Sequence, residues 1–143
     1  MASNNSTQTK KDLMMHLESE RLKSFENWPF DESCKCTPTE LAKAGFYSCA
    51  TDNEPDAVQC FMCFKELDGW EPDDDPWEEH KNHSPQCSFL KLTHPIESMT
   101  CEEILKLEMT RSKNKVRKVF EKSLNEFMDT ASSVREEMNK LAS

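Results

Sequence analysis

The sequence predicts an α+β fold, a small unit of short helices and an antiparallel sheet followed by one long carboxy-terminal α-helix. Three observations predict it. Cys60, Cys63, His80 and Cys87 read as Cys-x2-Cys-x16-His-x6-Cys, the spacing of a closed zinc site. Phe120, Leu124, Phe127, Ala131, Val134, Met138 and Leu141 are spaced 4, 3, 4, 3, 4, 3, an unbroken heptad seam. Charge divides at the same boundary: residues 1–99 carry 9 Lys+Arg against 19 Asp+Glu, and residues 100–143 carry 9 against 8.

A Cys-x-x-Cys loop brings two thiolates to one ion at about 2.3 Å each. On that pair alone, a redox or chance Cys-x-x-Cys reads as well, but His80 and Cys87 turn the reading to a single structural Zn2+. Three thiolates and one imidazole leave no position for water or substrate, so the site staples rather than catalyses. Seven cysteines are an odd number, and residues 1–16 are polar with two adjacent lysines and read as no secretory leader. A disulfide framework is therefore not expected. Cys34, Cys36, Cys49 and Cys101 are expected to be spare thiols, most of them small buried hydrophobes. At 143 residues and 36% hydrophobic, with two glycines, the chain suits one small metal-stapled domain with an extension. No stretch is apolar for long enough to span a bilayer, and no membrane association is expected.

In chain order, residues 1–15 are expected to be a disordered tail, from their Ser/Asn/Thr/Gln content. A short amphipathic segment with Leu13, Leu17 and Leu22 leads to Phe25 and Trp28-Pro29. Thr37-Pro38-Thr39-Glu40 opens a short helix: Thr37 caps it, Pro38 suits its first position, Glu40 completes a capping box, and Gly45 closes it. From Phe46 to Trp70, aromatic and apolar residues broken by Asn, Asp, Pro and Gly read as a small antiparallel sheet with Cys60 and Cys63 in its turns. Pro76 to His83 reads as a helix carrying His80. After Pro95 there is no proline or glycine, so a helix from about Thr100 to near the end would be roughly 60 Å long at 1.5 Å per residue. Such a helix outreaches the domain, and its seam needs partner helices; folding back as a core helix is the alternative. The domains are thus a tail over 1–15, a zinc domain over 16–91, a linker over 92–100 and a long amphipathic helix over 101–143.

Five blocks resemble the baculoviral inhibitor-of-apoptosis repeat family, from about Glu18 to Leu90. They are Arg21-Leu-Lys-Ser-Phe25 with Trp28-Pro29, Ala42-Lys-Ala-Gly45-Phe46-Tyr47, Asp56-Ala-Val-Gln-Cys60-Phe-Met-Cys63, Leu67-Asp-Gly-Trp70, and Asp73-Asp-Asp-Pro-Trp77-Glu-Glu-His80 with Cys87. The resemblance implies a three-stranded sheet with short helices around the zinc. Trp28, Phe46, Phe61 and Trp70 can supply core around the metal, and Gly45 suits the left-handed turn that ends a helix.

Members with one repeat and one long helix place that helix in a three-helix bundle with borealin and the inner centromere protein, within a complex that carries an Aurora-type kinase. The resemblance implies the same partners here, with residence in cytoplasm and nucleus and, in mitosis, at the centromere or kinetochore and the spindle midzone. It also implies a homodimer of the free chain through Leu92, Ile96, Cys101, Ile104 and Leu105. A leucine-rich export segment of relatives reads here as Leu92, Ile96, Met99 and Cys101 with Pro95 interrupting, which stands against export by that route.

Eight carboxylates fall between Glu66 and Glu79 with no basic residue among them, a surface that repels nucleic-acid backbones. By itself such a run reads equally as a solvated face. Family members grip a peptide with a free amino terminus there, and the matching positions are Lys65, Glu66, Leu67, Asp68, Trp70, Asp74 and His83. By that resemblance Asp68 and Asp74 take the ammonium and a following arginine, and Leu67 and Trp70 pack the first side chain. Lys65 and His83 face a phosphate, as on a histone amino-terminal tail that begins Ala-Arg-Thr with phosphothreonine. Close relatives usually carry Glu where this chain has Asp68, so the ammonium contact is longer here or runs through water. The competing function is direct caspase inhibition, or binding of pro-apoptotic Ala-Val-Pro-type peptides. No second repeat is present, His94 and Cys101 are too few ligands for a RING domain, and no nucleophile stands with a base, so no enzyme is expected. Thr37 is a candidate proline-directed phosphorylation site; a phosphate there would meet the helix dipole but displace the cap, so its sign is open.

Overall fold

A computed structural model describes residues 3–143 and the side chains of residues 7–143. The order is α1 (Ser3–Met14), α2 (Glu18–Lys23), α3 (Pro38–Lys43), β1 (Phe46–Ser48), β2 (Val58–Cys60), β3 (Glu66–Leu67), α4 (Pro76–His83) and α5 (Cys101–Ala142), with 3-10 turns at Ser88–Lys91 and Ile96–Ser98. The strands form one antiparallel sheet in the order β1-β2-β3, with Phe46 opposite Cys60 and Val58 opposite Leu67. This is the α+β unit with its long helix that the sequence implies. No helix among the described residues is long and apolar enough to cross a membrane.

Local chemistry accounts for the helix ends. Thr37 Oγ1 accepts from Glu40 N at 3.3 Å and Pro38 opens α3, whereas the Glu40 carboxylate turns to Lys43 at 2.8 Å, so only half of the expected capping box forms. A complete box stands instead at α5, where Thr100 Oγ1 accepts from Glu103 N and Glu103 accepts from Thr100 N at 2.8 Å. Asp75 caps α4 by accepting from Trp77 N and Glu78 N. Gly45 follows α3 with φ +95, where a Cβ would lie 2.9 Å from the Phe89 ring; both the conformation and the space demand glycine.

The core lies where α3, the sheet and the start of α5 meet: Leu41, Ala44, Phe46, Val58, Cys60, Phe61, Met62, Trp70, Cys87 and Leu107 are buried together. Trp28 packs against this cluster half-buried and donates its indole N–H to Cys36 O at 2.9 Å. Arg21 is the unexpected core member. Its guanidinium lies 4.6 Å over the Phe61 ring and donates to the carbonyls of Ala42, Met15 and His16, so every buried donor has a partner or a π-face.

One expectation changes, and two others find their places in the fold. Where residues 1–15 read as a disordered tail, α1 occupies the chain from Ser3; residues 1 and 2 lie outside the described residues. Its far end is tied to α5: Asp12 pairs with Arg111 at 2.8 Å and with Lys115, and His16 meets Glu108 at 2.6 Å. Burial opposes charge on Asp12, but the bonds from Lys115 and Arg111 outweigh it and hold its pKa below the usual 3.8. Of the five residues expected at a dimer contact, Leu92 and Ile96 are half-buried against the core, while Cys101, Ile104 and Leu105 are exposed. Finally, Cys34 and Cys36 are buried as expected of spare thiols, Cys49 is intermediate, and Cys101 is exposed.

Candidate metal centre and acidic groove

β2 ends on Cys60, and the chain turns back towards β3 through Cys63 and Phe64, whose φ of +60 tightens the turn. α4 presents His80 from the opposite side, and Cys87 follows it just before the 3-10 turn. The four ligand atoms lie within 4.8 Å of one another, with Cys60 Sγ 3.8 Å from Cys87 Sγ and Cys63 Sγ 3.7 Å from His80 Nε2. Those spacings match the edges, about 3.8 Å, of a tetrahedron with arms of about 2.3 Å. His80 Nδ1 lies 2.7 Å from Ala44 O, the bond expected of the Nδ1–H tautomer, which leaves Nε2 free for a metal. Cys60 and His80 are fully buried and Cys87 nearly so, while Cys63 is half-buried, so four protein donors surround the position and leave little of it to solvent.

The electrostatics suit a cation. Hydrogen bonds from the Cys60 and Cys87 sulfurs pull the Cys63 thiol below its ordinary value, whereas burial pushes Cys60 well above. Burial alone would depress His80, but the sulfurs of Cys63 and Cys87 outweigh it and raise the pKa to about 9, so Zn2+ must displace a proton from Nε2 to bind there. Donor type, spacing and charge together fit one tetrahedral Zn2+.

α5 docks on this metal loop through polar donors. Arg111 Nε donates to Phe61 O at 3.1 Å, Asn114 Nδ2 donates to Met62 O at 3.0 Å, and Lys118 Nζ donates to Phe64 O. Three side chains along one helix face thus satisfy three carbonyls of the turn that carries Cys60 and Cys63. Sequence reasoning missed these contacts; the spacing 111, 114, 118 is legible, but its target is not. The seam residues face elsewhere: Phe120, Leu124, Phe127, Val134, Met138 and Leu141 are exposed and Ala131 is intermediate.

Beyond the metal, β3 and α4 wall a groove of about 370 Å³. Lys65, Glu66, Leu67, Asp68, Trp70, Asp74 and His83 all line it, so the structure brings the whole expected set together. Glu79 joins them and stands 3.3 Å from His83, an i,i+4 pair on α4 that the sequence could have disclosed. Asp74 is held by accepting from Glu71 N at 2.8 Å, and Trp70 N donates to Asp56 at 2.8 Å. Trp70 Nε1 is buried with no hydrogen-bond partner among the described residues. β3 is an edge strand of the sheet, so its outer side is open to strand addition.

The family model described as Inhibitor of Apoptosis domain matches residues 21–91. The chain is 51% identical over 128 residues to baculoviral IAP repeat-containing protein 5 of Rattus norvegicus, covering 90% of each chain. It is 50% identical to the protein of that name from Mus musculus, covering 90% of this chain and 91% of that one. Against baculoviral IAP repeat-containing protein 5.2-A of Xenopus laevis it is 49% identical, covering 85% of this chain and 77% of that one. It is also similar, at 35% identity and a TM-score of 0.48, to a solved structure described as "Crystal structure of DIAP1 BIR1 bound to a Grim peptide", over 57% of this chain and 82% of that one. The geometry of the ligand group and the relatives about 50% identical over 90% of the chain agree: the chain belongs to the inhibitor-of-apoptosis repeat family, in the group of baculoviral IAP repeat-containing protein 5, or survivin.

Proposed function

We propose that this chain is a non-enzymatic scaffold and phospho-histone-tail reader of the chromosomal passenger complex, with an anti-apoptotic role. The observation that carries the reading is the groove itself, where Asp68 and Asp74 converge with Leu67 and Trp70, and where Lys65 and His83 line the same space. A peptide added along β3 would set its ammonium against the carboxylates and its first side chain on Trp70. The phosphate of its third residue would meet Lys65 and His83. Glu79 already stands beside His83, so the imidazole is oriented before a ligand arrives.

In this reading the zinc is structural and holds the groove's walls, since Cys63 precedes β3 and His80 lies on the α4 wall. α5 offers its exposed seam to borealin and the inner centromere protein, which bring an Aurora-type kinase to the centromere or kinetochore and later to the spindle midzone. The free chain dimerises through the exposed Cys101, Ile104 and Leu105 beside Leu92 and Ile96, and resides in cytoplasm and nucleus between divisions.

Calorimetry with a histone amino-terminal peptide tests the reading, with and without phosphate on residue three and beside Ala-Val-Pro-Ile. The expected result is a preference for the phosphopeptide that disappears in His83→Ala. Tighter binding of Ala-Val-Pro-Ile would move the assignment to pro-apoptotic peptides, and inhibition of purified caspases by the isolated chain would move it to direct inhibition.

A further inference from the structure

The groove between β3 and α4 does not end at Lys65. The two stretches of chain that wall it, the turn into β3 and the segment leaving α4, continue past Lys65 and His83 and bound a second groove of about 490 Å³, floored by α5. Lys65 and Glu66 line both grooves, so the two are neighbours along the chain.

Charge reverses along this path. The first groove presents Glu66, Asp68, Asp74 and Glu79. The second presents Lys65, Arg117 and Lys118, with only Glu66 and Glu121 opposing them. Lys118 is held in place, bonded to Phe64 O and 3.3 Å from Glu66. The Arg117 and Lys65 side chains are exposed and carry no ion pair or hydrogen bond among the described residues. In a chain of net charge −9, this is a local cationic site with two unpaired donors. A guanidinium presents a planar fork that matches a carboxylate or phosphate.

We propose that the two grooves form one path, and that Arg117, with Lys118, takes an acidic or phosphorylated side chain of a peptide whose free amino terminus occupies the first groove. The inference rests on the peptide-groove reading above. A peptide antiparallel to β3 would run from the Trp70 end towards Lys65. The five steps from Trp70 to Lys65 span roughly 17 Å at about 3.3 Å per residue, so peptide residues from about the fifth onward face Arg117. The second groove therefore selects for negative charge downstream, where the first selects for positive charge at the start.

The test is calorimetry of the full chain at low salt with four peptides that share one amino-terminal sequence. One ends at residue four, one extends to residue eight with neutral side chains, one carries Glu at residues five to seven, and one carries phosphoserine at residue six. The short and neutral peptides should bind alike, and the two anionic ones about threefold to tenfold more tightly, a gain that fades at high salt. Arg117→Ala should abolish the gain and Arg117→Glu should invert it, with the short peptide unaffected by either. A larger gain for phosphoserine than for Glu would assign the site to phosphate, and an equal gain to any anion. If the short peptide binds and the anionic extension adds nothing, or if the gain survives Arg117→Glu, the inference is overturned. If the short peptide fails to bind, the groove reading falls first and this inference with it. Binding of a mixed-sequence oligonucleotide with the same dependence on Arg117 would assign these cations to nucleic acid and overturn the peptide assignment.

Discussion

Within the zinc domain Leu41, Phe46, Val58, Phe61 and Met62 are fully buried, whereas along α5 Val116, Phe120, Phe127, Met138 and Leu141 are each more than half exposed. The two regions differ in what closes them. A domain of about 75 residues has only a marginal core of its own, and here a four-ligand metal group sits inside that core to reinforce it. The helix has no second layer to fold against. Its only deeply buried side chains are Leu107 and Arg111, both near its start. The zinc domain closes around its ligand group, while the helix leaves its seam exposed.

That contrast can be broken most severely at the metal. Replacing Cys60 by Ser or His80 by Ala should abolish the cooperative unfolding of the zinc domain, because structural zinc contributes about 10–16 kcal/mol against a total stability of about 5–15 kcal/mol. Circular dichroism and tryptophan fluorescence in excess chelator should show the same collapse, and a retained cooperative melt would contradict it.

The next effect is at the junction. Arg111→Met removes the donor to Phe61 O and leaves Asp12 and Glu108 without their buried partner, at a cost of about 3 kcal/mol in urea denaturation. A loss under about 0.5 kcal/mol would mean that the helix is anchored elsewhere.

Asp12→Asn should cost less, about 1 kcal/mol. Its folded pKa is depressed, so its contribution is present above the unfolded value near 3.8 and is lost as the pH falls through the lower folded value. The variant should therefore match the parent in strong acid and fall below it at neutral pH. Parallel stability curves across that range would remove Asp12 from the junction.

Phe127→Ser should change the isolated chain by no more than about 0.5 kcal/mol, since the side chain is already exposed. The same change should prevent co-purification with partner helices. A marked destabilisation of the isolated chain would mean that the seam is used within it.

What was legible in the sequence was what local spacing encodes. Thr37-Pro38 marked a helix start, Pro76 to His83 marked α4 at both ends, and the heptad positions marked a seam that the structure leaves exposed. The metal ligands were legible because their residue types have few other uses at that spacing. The groove positions came from family resemblance, since Lys65 and His83 meet only through the fold. Contacts between residues far apart in sequence were not legible. Asp12 and Arg111 lie 99 residues apart, and their pairing overrides a tail whose composition reads as disordered.

The three donors from α5 to the metal turn also have a mechanical consequence. From Lys118, the last of them, about 24 residues of helix project to Ala142, an arm of roughly 36 Å with its pivot on the turn that bears Cys60 and Cys63. A tilt of about 5° at that pivot would sweep the tip by roughly 3 Å, close to the rise of two helical residues. The same turn leads directly into β3, so whatever strains the groove's edge also acts on the short end of the lever.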